Sequence, residues 1–94
     1  MKAVNFKELS IETSIDEYEV LDLRKEVGNT IHRHAMSVPL SELARKIYYS
    51  EGAVSIADED YSVMISIIEK SFIVPVSKAI KESTQEIEKV GQPT

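Results

Sequence analysis

The sequence predicts a small α+β domain, mostly helical, with its elements in the order β-β-α-α-β-α-α. Three observations carry that prediction. After Asp22, apolar residues recur at i, i+3, i+4 and i+7 through most of the chain, the spacing of helices with one buried face. Before Asp22, β-branched and aromatic residues alternate with polar ones, the spacing of strands. Between the second and third helical stretches, Ala53-Val54-Ser55-Ile56 breaks the helical spacing with a short apolar run.

The first two strands come from Val4–Leu23. Leu9, Ile11 and Thr13 alternate with Ser10, Glu12 and Ser14, while Tyr18 and Val20 alternate with Glu19 and Leu21. Two such runs around Ile15-Asp16-Glu17 predict a β-hairpin. A rival reading makes Ser14 the N-cap and Glu17 the N3 residue of a long helix, as in a capping box. The hairpin is preferred because β-branched and aromatic residues gather here, and because Gly28 would burden the longer helix.

From Asp22 the spacing turns helical. Asp22 can cap, and Leu23, Val27, Ile31 and Ala35 follow in steps of four to an end near Met36. Gly28 lies beside that stripe; a glycine inside a helix costs ~1 kcal/mol against alanine, so its presence predicts close packing by another element. The next helix carries the most consistent signals. Leu40, Leu43, Ala44, Ile47 and Tyr48 share one face, Ser37 is placed to cap, and Pro39 falls in the first turn. Arg45 and Lys46 suit the negative end of the helix dipole, and Gly52 is expected to supply a left-handed stop. The run Ala53–Ile56 is then expected to join the hairpin as a third strand, since a lone hairpin is marginal.

Asp58, Glu59 and Asp60 open the following helix at the positive end of its dipole. Over Asp58–Phe72 the stripe of Tyr61, Met64, Ile65, Ile68 and Phe72 marks the core helix, and Val63 and Ile67 widen its apolar arc past half the circumference. A surface helix is expected from Pro75 to Val90, with Val76, Ala79, Ile80, Ile87 and Val90 on one narrow face. Gly91 would end it, which makes 1–90 one globular domain and 91–94 a loose tail.

Composition bounds the function. The chain has 94 residues, 43% hydrophobic and 29% charged, as expected of one globular domain with a modest core. Its net charge of −5 argues against a general affinity for nucleic acid or an anionic membrane. It has no cysteine, no apolar h-region in MKAVNFKELS and no apolar run of the ~18–20 residues that a membrane span requires, so the expected setting is cytoplasmic. Charge is segregated. Arg24–Lys46 is basic on balance, whereas Glu51–Glu69 holds Glu51, Asp58, Glu59, Asp60 and Glu69 with no Lys or Arg. That pattern predicts two solvated faces that complement each other.

Candidate chemistry is sparse. His32 and His34 are spaced so that a helix sends them to opposite sides, and they cannot chelate one ion from one face. His34 is expected half-buried and His32 exposed. Ser37, Ser41, Ser50 and Ser55 fall where caps and turns use hydroxyls. There is no nucleophile elbow, phosphate loop or dinucleotide fingerprint, and Asp58-Glu59-Asp60 lacks the spaced ligands of a calcium loop. No catalytic, cofactor-binding or metal-binding residue is expected, and no enzyme activity.

Two resemblances bear on function. Ser41–Ser55, SELARKIYYSEGAVS, resembles the helix-turn-helix of bacterial repressors, which implies a DNA-binding regulator with Leu43, Ala44 and Ile47 in the first helix and Val54 in the recognition helix. The chain departs from that family where Tyr48 replaces the turn glycine, and where Glu51–Tyr61 offers acids and no Lys or Arg to phosphate or guanine. Asp22–His32, Ser41–Ile56 and Ile68–Ile80 together resemble small uncharacterised proteins of phages and mobile elements of gut bacteria, a resemblance that implies a genomic setting and no activity. The expected role is therefore a non-enzymatic protein–protein interaction or assembly protein, self-associating, with the repressor-like regulator as the alternative. The expected interaction surface is Tyr49, Val63 and Ile67: Val63 and Ile67 lie beyond the arc one core can use, and Tyr49 points away from its own helix's core stripe. The partner is a second copy or another protein, with neither nucleic acid nor membrane expected. The competing expectation is that the hairpin covers Val63 and Ile67 as core.

Overall fold

Alternation wins over the capping box in the N-terminal segment. In the computed structural model, which describes residues 1–86, β1 (Lys2–Val4) leads into a hairpin of β2 (Leu9–Ser14) and β3 (Glu17–Leu21). Leu9 pairs with Leu21, Ser10 with Val20, Ile11 with Glu19 and Glu12 with Tyr18, so Leu9 and Ile11 share the core-side face and are buried. The two strands turn at Ile15-Asp16. Asp16 stands in the left-handed region at φ 61°, which aspartate tolerates, and its N–H donates to Glu12 Oε2 at 2.7 Å. Leu23 N–H donates to the Phe6 carbonyl at 2.9 Å and closes the base of the hairpin.

Helices α1 (Arg24–His34) and α2 (Val38–Tyr48) form the largest packed pair. Leu23 is the N-cap residue of α1, and Asp22 serves the helix start from one position further out, its Oδ1 accepting the Arg24 N–H at 3.1 Å. Ser37 caps α2 as expected, accepting the Leu40 N–H, with Pro39 in the first turn. The predicted close approach at Gly28 is present. A Cβ there would stand 3.0 Å from the Ala44 carbonyl oxygen and 3.1 Å from Tyr48 Cβ. The expected stop at Gly52 is not used. Tyr49 is the C-cap and Gly52 is not left-handed, because Ser50 turns the chain first: its N–H and its hydroxyl both donate to the Ile47 carbonyl, at 3.2 and 2.8 Å.

The third strand of the prediction forms, but elsewhere. β4 (Val54–Ile56) pairs antiparallel with β1, Val4 opposite Val54 and Lys2 opposite Ile56, and never joins the hairpin. The pairing sets Val4 and Val54 opposite one another, and Val4, Val54 and Ile56 are all buried. α3 (Asp58–Ser71) and α4 (Val74–Ser83) follow. α4 stops well short of Val90. Thr84 is extended (φ −68°, ψ 133°), its hydroxyl donates to the Ile80 carbonyl at 2.6 Å and lies 2.7 Å from the Tyr61 hydroxyl, and the chain leaves as β5 (Gln85–Glu86) on the other edge of β1. Ile87, Val90 and the expected tail over 91–94 lie outside the described residues.

The core runs through all of these elements. Phe6, Leu9, Ile31, Ile47, Ile56, Met64, Ile68 and Ile80 are fully buried, and Tyr61, Ile65, Ile67 and Phe72 pack against them at its margin. The hairpin reaches this core through β2, which lies against α4, while α1 lies against α3. No helix among the described residues is long and apolar enough to cross a membrane.

Candidate interaction surface

Since β2 is the strand held by the body, β3 makes its substantial contacts, among the described residues, with β2 alone. All five of its residues are exposed. Period-two geometry splits them between two faces. Glu17, Glu19 and Leu21 project to the side that Leu9 and Ile11 use for the core, whereas Tyr18 and Val20 project outward beside Glu12 and Ser10. Tyr18 is 55% exposed and Val20 67%, and Ile15 at the tip is 89% exposed. A strand of this kind leaves a row of backbone N–H and C=O groups without strand partners.

The electrostatics of this β2–β3 arm are one-sided. From Glu8 to Leu23 there is no Lys, Arg or His. Asp22 at its base bonds Arg24, Oδ1 to Nε at 2.9 Å and Oδ2 to Nη2 at 2.7 Å, and the guanidinium together with the Arg24 backbone N–H holds the Asp22 carboxyl down at about 2. Glu8, Glu12, Asp16, Glu17 and Glu19 have no ion-pair partner among the described residues. Several acids of the body differ. Glu51 lies near Lys7 and Arg24, Glu69 pairs with Lys81, Glu86 pairs with Lys2, and Asp58 lies 3.9 Å from Lys2. Contact between Arg24 and Glu51 at 3.9 Å joins the basic and acidic segments, as charge complementarity predicts.

The three residues expected from sequence fall in different settings. Tyr49 is 72% exposed, stacked edge-on against Tyr48 at 4.8 Å, and lines a cleft between α1 and α2 together with Asn29, His32 and Arg45. Neither Val63 nor Ile67 lines that cleft. Val63 is 47% exposed on α3; Ile67, one turn away, packs against the core margin. The hairpin's main contact with a helix is with α4. At about 180 Å³ the α1–α2 cleft is smaller than the ~300–1,000 Å³ usual for small-molecule sites.

Both histidines are exposed, a correction for His34. Its ring turns back along the helix instead of inward, with Nδ1 2.9 Å from the Thr30 carbonyl oxygen. Among the described residues, no group of three or more His, Cys, Asp or Glu side chains is arranged to hold a metal ion. Where the repressor resemblance asks for a recognition helix, the chain forms β4 and the first turn of α3, and Val54 is a buried strand residue.

Ile15, Tyr18 and Val20 escaped the sequence reading as surface residues. The available signal was the stretch Glu8–Asp22, which holds six acids and no Lys, Arg or His. Comparison with protein-family models, curated proteins and solved structures finds no match.

Proposed function

We propose that this chain is a non-enzymatic protein-interaction module whose working part is the β2–β3 arm. One observation carries the reading: a five-residue strand, paired among the described residues with β2 alone, exposes Tyr18 and Val20 on one face and, among those residues, an unpaired backbone edge along its length. Isolated exposed apolar groups are ordinary on a protein surface, but an open edge strand is a template for association that folds usually blunt. A photo-crosslinking residue at Tyr18 in cells that make the protein should give a discrete adduct with another protein. The same residue at Glu82, on the exposed side of α4, should not. Absence of any Tyr18 adduct, with the variant folded, refutes the reading.

Self-association through α3 is a second reading, favoured by the exposure of Val63 on that helix. Its test is sedimentation at micromolar to millimolar concentration. A dimer that becomes a folded monomer on Val63→Glu supports it, and a wild-type monomer throughout that range refutes it. Val63 is the residue to change, since Ile67 contributes to the core margin and its substitution would confound association with stability.

A further inference from the structure

We infer that the partner of the arm is a basic, extended segment of another protein, which adds to the open edge of β3 as a third strand with Lys or Arg alternating with β-branched or aromatic residues. The inference rests on the arm's being the interaction surface. Shape and charge each narrow the occupant. An unpaired strand edge is satisfied by backbone groups at strand spacing, so the occupant is extended, not helical. Directly opposed residues on neighbouring strands share a face and pair. An added strand would therefore meet Glu17 and Glu19 on one face and Tyr18 and Val20 on the other. Cationic side chains match the first pair, and β-branched or aromatic ones the second.

Charge also disfavours the simplest symmetric alternative. Two copies pairing β3 to β3 antiparallel about Glu19 would set Glu19 against Glu19 and bring two arms without basic residues side by side, and opposed like charges destabilise a sheet. A basic strand instead neutralises Glu17 and Glu19, which have no ion-pair partner among the described residues. The body already supplies Arg24 to Asp22, whereas Glu17 and Glu19 on β3 are left without a cation among the described residues.

The probe is an alternating Lys–Val heptapeptide, added to the isotope-labelled 94-residue chain at low salt. Its control has the same charge with proline in place of the central valine, which cannot form the strand. Binding of the first should slow amide exchange along β3 by about tenfold or more and weaken as salt rises, while the control should leave β3 exchange unchanged. Glu17→Lys with Glu19→Lys should weaken peptide binding by about tenfold, and the paired Gln variants by less, both without loss of far-UV circular dichroism. Equal binding of the proline control, perturbations centred away from β3, or a slowing of exchange caused by a second copy of the chain would each overturn the inference. A Tyr18 adduct in cells with no effect of the peptide on β3 leaves the arm as an interaction surface and removes the basic strand as its occupant. Failure of both removes the interaction reading itself.

Discussion

Gly28→Ala sets helix propensity against packing, and the structure decides between them. On propensity alone the change should stabilise α1 by ~1 kcal/mol, because alanine loses less backbone entropy than glycine. The new methyl group would, however, stand 3.0 Å from the Ala44 carbonyl oxygen, 3.1 Å from Tyr48 Cβ and 3.3 Å from Tyr48 Cα. None of these is the end of a flexible side chain, so relief requires α2 to move as a unit. That helix is pinned by Leu40, Leu43, Ala44 and Ile47, all buried. Overpacking of this kind costs ~1–3 kcal/mol, which leaves a net destabilisation of about 1 kcal/mol after the propensity gain. In a domain of this size that corresponds to a fall in melting temperature of roughly 4–8 °C. Urea unfolding followed by circular dichroism, with Asn29→Ala as the exposed control on the same helix, measures it. A Gly28→Ala protein as stable as the wild type, or more so, would show that α2 yields freely and that the close approach is not why glycine stands there.

Two further outcomes test the core and the base of the arm. Leu43→Ala should cost ~2–5 kcal/mol in the same unfolding assay, since Leu43 is buried against the core from mid-helix; an unchanged midpoint would mean that this face of α2 is wrongly placed. The Asp22 carboxyl, lowered from 3.8 to about 2 by its bonds to Arg24, favours the folded state above pH ~4 and loses that contribution as pH falls toward 2. Carboxyl titration by NMR should give a midpoint near 2, and Asp22→Asn should remove that share of the acid sensitivity; a midpoint near 4 refutes the pairing.

Much of the fold was legible because it is written in local periods. The alternation of Leu9–Leu21 specified a hairpin over a capping box, and the spacings of Leu23–Ile31, Leu40–Ile47 and Tyr61–Phe72 specified three helices and their buried faces. Ser37 announced a start, and Gly28 announced a close neighbour without saying which. β1 and β5, at three and two residues, are too short to carry a period. The end of α4 at Ser83 depends on Thr84 meeting Tyr61 and on Gln85 and Glu86 pairing with β1, contacts between residues far apart in the chain.

The candidate surface divides in the same way. That β3 is a strand, that it alternates Tyr18 and Val20 with Glu17 and Glu19, and that no basic residue interrupts Glu8–Asp22 were all in the sequence. That its edge is open was not. A strand of three residues with two apolar ones can pair with any edge that buries them, and the packed core makes β1 the partner of Val54 and Ile56. By drawing β4 to itself, β1 leaves the hairpin with two strands, and β3 has no third-strand neighbour among the described residues. Local spacing determines what each segment becomes; which segments share hydrogen bonds depends on burial summed over the whole chain, and that sum exists only in the tertiary structure.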